Sequence, residues 1–106
     1  MKFFVKWSIN PLMRAKDIDE RIKNQQTILD MIKADLAAGL LKDWGSFPGE
    51  SCGYALSETG SEEELAVSLM KFTPYIHFEV RPVLSADQTI RSMKKVTSTH
   101  ASWRLE

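Results

Sequence analysis

The period of the hydrophobic pattern switches back and forth along this chain, and that succession limits its fold more than any single motif. Phe3 to Ile9 (FFVKWSI) is aromatic and β-branched, with Phe3, Val5, Trp7 and Ile9 on one parity and Phe4, Lys6 and Ser8 on the other, which predicts a strand ended by Asn10-Pro11. From Asp17 the spacing becomes three and four, through Ile18, Ile22, Gln25, Leu29, Ile32, Leu36 and Leu40, with Ile28 and Met31 widening the apolar stripe, so a long helix is expected, with Gly39 placed to end it in a left-handed cap. Leu40 to Ser46 and Ser51 to Ser57 read as strands of a hairpin around Phe47-Pro48-Gly49. Ser61 and Glu64 have capping-box spacing and open a second helix that runs to about Phe72. After Pro74, Tyr75 to Val83 (YIHFEVRPV) returns to alternation.

Strand, helix, strand, strand, helix, strand is the split β-α-β order of the ferredoxin-like fold. It predicts an α+β domain with a four-stranded antiparallel sheet and two helices on one face. This domain is expected over residues 1–84, and residues 85–106 form a C-terminal extension. In the extension Ser85 and Gln88 again have capping-box spacing, so a short helix to about Lys95 is expected, followed by a tail from Val96 to Glu106. The fold leaves one sheet face uncovered. Phe4 or Trp7, Trp44, Tyr54, Tyr75 and His77 could all fall there, depending on register. So many large side chains call for a cover.

At this point the chain resembles the dimeric α+β barrel superfamily, and within it a muconolactone-isomerase-like group without assigned activity. The resemblance rests on the element order, the long helix from Asp17 to Gly39, the turn WGSFPG at 44–49 and the strand end FEVRPVL. It implies a sheet-to-sheet homodimer, or a higher homo-oligomer. No catalytic motif of that superfamily's enzymes matches residue by residue, so the resemblance carries the fold and not a reaction.

Composition narrows the function classes. Lys plus Arg and Asp plus Glu are both 14 in this 106-residue chain, so no overall charge draws it to nucleic acid or anionic lipid. RNA-binding domains share the topology, but the third strand, SCGYALS, lacks their basic and aromatic pattern. Nothing approaches the length of a membrane span, and MKFFVKWSINPLM does not read as a signal peptide, so a cytoplasmic location is expected. The single cysteine, Cys52, excludes an internal disulfide and a paired-cysteine zinc site, and His100 lies too far along the extension to suggest a metal cluster. No phosphate-binding glycine pattern is present, so neither a cofactor nor a metal is expected.

The candidate chemistry sits on the last strand. His77, Glu79 and Arg81 share one parity, neighbours about 7 Å apart at the strand rise, close enough to share a ligand. His77 is the candidate acid or base, Arg81 the group that would fix a carboxylate or phenolate, and Glu79 the residue that orients one of them. An ion pair between Glu79 and Arg81, with His77 at a subunit seam, accounts for the same pattern without chemistry. Trp7, Trp44, Tyr54 and Tyr75 are candidate substrate-binding walls, with core packing as the plainer alternative. The pattern supports two functions. One is binding or conversion of a small aromatic or carboxylate-bearing metabolite in a cavity without cofactor; the other is a non-catalytic homodimeric module, regulatory or structural.

Overall fold

A computed structural model describes the backbone of residues 1–104 and the side chains of residues 1–98. The elements are β1 (Lys2–Ile9), α1 (Ile18–Ala38), β2 (Leu41–Ser46), β3 (Cys52–Glu58), α2 (Glu62–Met70), β4 (Ile76–Val83) and α3 (Ala86–Arg104), with a 3-10 turn at Pro11–Met13. The strands form one antiparallel sheet in the order β2-β3-β1-β4, the ferredoxin-like arrangement that the succession of periods predicts.

The ends of the helices are built from the side chains that the sequence singles out. Asp17 accepts a hydrogen bond from the Glu20 amide at the start of α1, and Gly39 ends it with φ +79°. Ser61 accepts from the Glu64 amide, while the Glu64 carboxylate accepts from the amide of Gly60. In front of α3, Ser85 and Gln88 exchange both bonds of a capping box. α3 then runs 19 residues, well beyond the short helix expected. No Gly or Pro interrupts it, and the weak propensities of Val96, Thr97 and Ser98 are not enough to stop a helix already nucleated. Its side chains are exposed through Ser98; those of His100 and Trp103 lie outside the described residues.

Phe3, Val5 and Trp7 of β1 form the centre of the core with Ile32 from α1, Leu65 from α2, and Phe72 and Ile76. Phe3 and Val5 are almost wholly inaccessible, and each side chain of this kind contributes about 1.5–3 kcal/mol through burial. α1 packs on the Ile28 and Met31 side of its apolar stripe. Ile28, Met31, Ile32 and Asp35 face inward, whereas Ile18 and Ile22 are 66% and 59% exposed. Spacing of three and four defines a broad stripe but not its centre. Here the centre passes through an aspartate.

Candidate functional site

The register divides the candidate residues between the two sides of the sheet. Trp7 lies opposite Phe78 and Gly53 and turns toward the helices with Phe3 and Val5. Trp44 joins it because the β2–β3 pairing shifts between Leu41 and Asp43: one extra residue in β2 reverses the parity of the rest of the strand. The two indoles stack in parallel with centroids 5.3 Å apart, and Trp7 Nε1 donates to the carbonyl oxygens of Gly45 and Tyr54.

His77, Glu79 and Arg81 lie on the other, uncovered side, along the edge strand β4. They stand opposite Ser8, Lys6 and Phe4 of β1, which in turn stand opposite Cys52, Tyr54 and Leu56 of β3. All three are exposed, and none makes a side-chain hydrogen bond or ion pair among the described residues. The expected bridge between Glu79 and Arg81 is not formed. Tyr54 is on this face too, with its hydroxyl donating to Asp43 Oδ2 at 2.8 Å. That bond, more than partial burial, holds its phenol above the ordinary tyrosine range.

Cys52 is separated from His77 by Ser8 in the intervening strand, so the two are not a catalytic pair. Partial burial, and then the nearby Glu50 carboxylate, push the Cys52 thiol up and keep it protonated, the reverse of what a nucleophile needs. Among the described residues no three His, Cys, Asp or Glu side chains are grouped to hold a metal ion, and no helix is long and apolar enough to cross a membrane.

A cavity of about 220 Å³ lies on the helix side, between α1 and the sheet. Trp7, Trp44, Ile28, Leu69 and Phe78 supply its apolar wall, and its outer end is bordered by the exposed Arg14, Arg21 and Tyr75 and the half-buried Asn10. Tyr75 comes just before β4 begins, so it lines the mouth of this cavity instead of extending the row of His77. The Asn10 amide Nδ2–H donates to the Pro74 carbonyl and ties the loop after β1 to the turn before β4. Three of the four aromatic candidates therefore meet around one space. The three charged or titratable ones and Tyr54 meet on the opposite face.

The buried end of the cavity holds a residue that sequence reasoning passed over. Asp35 is 4% exposed and forms part of the cavity wall. Its Oδ1 pairs with Lys71 Nζ at 2.5 Å, and its Oδ2 has no hydrogen-bond partner among the described residues. The available signal was its position three residues after Ile32, on the inner stripe of α1.

Comparison with known proteins agrees with this architecture. The family model described as "Domain of unknown function (DUF3303)" matches residues 1–97. No curated protein matches the chain. Among solved structures, a crystal structure of muconolactone isomerase at 3.3 Å resolution is similar, with a TM-score of 0.61 and 21% sequence identity over 80% of this chain and 90% of that one. At that identity the similarity establishes the fold alone.

Proposed function

Because the chain belongs to the DUF3303 family, a domain of unknown function, we propose its role from the geometry: it binds a small, largely apolar molecule between α1 and the sheet. The observation that carries this reading is the wall itself. A cavity lined by the stacked Trp7 and Trp44 and by aliphatic side chains, with arginines only at its mouth, suits an aromatic or carboxylate-bearing compound held without cofactor. An anionic group would sit near Arg14 and Arg21 while the apolar body lies inside.

The uncovered sheet face is assigned to a second copy of the chain. Phe4 and Leu56, 37% and 38% exposed, form its apolar middle, flanked by Lys6, Glu79, Arg81 and Asp43. Charges of both signs at one flat face suit pairing with an identical face, and Phe4→Glu is expected to shift the protein to monomer in sedimentation velocity. A second reading places a ligand between two such faces, with His77, Glu79 and Arg81 as its polar contacts. It is favoured by the lack of any partner for these three side chains among the described residues of the protomer.

The probe for the cavity is anilinonaphthalene sulfonate, an aromatic anion whose emission shifts to the blue in apolar surroundings. Saturable binding that is lost in Ile28→Phe, which fills the cavity, and retained in His77→Ala and Arg81→Ala is the expected result. Unchanged binding by a stably folded Ile28→Phe protein refutes the cavity reading. Loss of binding in the β4 variants, with the dimer intact, favours the second.

A further inference from the structure

The cavity's buried end points to the kind of molecule that fills it. We infer that its ligand donates a hydrogen bond to Asp35, and so carries a hydroxyl or amino group at the end of an apolar body. This inference rests on the cavity reading above. Asp35 is a nearly inaccessible carboxylate in a largely apolar wall, and only one of its two oxygens is satisfied among the described residues. A buried carboxylate oxygen without a donor is costly, and native proteins supply one from protein, water or ligand. Lys71, with its side chain 35% exposed, comes in from the solvent side and engages Oδ1 alone.

The remaining wall limits which donor can arrive. Val5, Ile32, Leu41 and Ala55 in the wall carry no side-chain donor, and Trp7 Nε1 already donates to backbone carbonyls of the sheet. Trp44, Asn24, Gln25 and Ser68 carry donors and line the cavity as well, but Lys71 alone hydrogen-bonds the Asp35 carboxylate among the described residues. Oδ2 is itself inaccessible in the protomer, so the carboxylate must turn toward the cavity as the ligand enters, with Lys71 following from its exposed side. From Arg21 at the mouth to Asp35 is 14 residues of α1, about 21 Å at the helical rise. Cationic groups therefore stand at one end and a hydrogen-bond acceptor at the other. The ligand class is an elongated amphiphile with an acidic group outermost and a hydroxyl or amine innermost.

The test uses β-naphthol and its methyl ether, which differ only in the donor, competing against anilinonaphthalene sulfonate on the full chain. A hydrogen bond to a charged acceptor is expected to favour the naphthol roughly ten-fold or more. In Asp35→Leu that preference should fall to within about two-fold while the ether binds as before. In Asp35→Asn, which keeps a neutral acceptor and a similar shape, an intermediate preference of roughly three-fold is expected and covers the case in which the leucine variant does not fold. Equal binding of the two compounds by the wild-type protein overturns the role of Asp35 and leaves the cavity reading standing. Failure of anilinonaphthalene sulfonate and both naphthyl compounds to bind overturns the cavity reading itself.

Discussion

Replacing Gly53 by alanine tests the inner architecture of the site most sharply. A methyl group at that position in β3 would lie 2.1 Å from the Gly45 carbonyl oxygen, 2.6 Å from Trp7 Cζ2 and 2.7 Å from Ser46 Cα. Comfortable carbon contacts begin near ~3.5 Å, and two of these neighbours are backbone atoms of β2, so no side-chain rotation relieves the clash. Either β2 withdraws or the Trp7 ring swings aside. Both movements strain the 3.1 Å bond from Trp7 Nε1 to Gly45 and the stack on Trp44. Overpacking costs about 1–3 kcal/mol, a hydrogen bond about 1, and an aromatic pair about 0.5–1.5, so a loss of about 3 kcal/mol or more is expected. For a domain of this size that lowers Tm by at least about 12 °C. Urea unfolding gives the free energy, and near-ultraviolet circular dichroism reports the indole pair directly. Gly49→Ala is the control. Nothing lies within 4 Å of its added methyl and only its φ of +77° is strained, which costs about 1–2 kcal/mol. If Gly53→Ala costs no more than Gly49→Ala and leaves the tryptophan spectrum unchanged, the packing argument is wrong.

Lys71→Met removes the partner of Asp35 Oδ1 and is expected to cost about 1–3 kcal/mol in urea unfolding. Adding Asp35→Leu should restore much of the loss, because an apolar pair tolerates burial better than a lone carboxylate. Tyr54 should ionise above its ordinary value of 10 in ultraviolet titration, and Asp43→Asn should bring it down. The folded state holds that proton more tightly, so the contribution of Tyr54 is fully present below pH 10 and is lost as the pH rises through the folded value. Cys52 should react with iodoacetamide at about pH 8 more slowly than an exposed, unperturbed thiol. Glu50→Gln should speed the reaction only in part, because burial is the larger cause of the shift.

The elements were legible because local signals agreed: Asp17, Gly39, Ser61 and Ser85 mark helix ends with the same side-chain chemistry that the structure uses. The site was less so, and two residues show why. Trp44 reads as facing either side of the sheet, because alternation counts residues and cannot detect a bulge. The shift between Leu41 and Asp43 then sends it to the helix face beside Trp7. Asp35 reads as one polar residue among several on α1. Only the rotation of the helix about its axis, which spacing leaves open, places it inside.

The sheet therefore separates two groups of residues that the sequence offered as one site. Side chains at successive strand positions project to opposite faces, so no ligand in the helix-side cavity reaches His77, Glu79 or Arg81 of the same protomer. A chemistry that needs both His77 and the aromatic wall of one protomer is incompatible with this arrangement. What the cavity does hold is a carboxylate at its buried end and arginines at its mouth. Such a pair of ends can orient an amphiphile without reacting with it. The β4 row lies on the other face, where the proposed second copy, or a ligand between two copies, would supply its partners. The two faces can then be perturbed independently, and distant sites of this kind should show additive effects on stability and separate effects on binding.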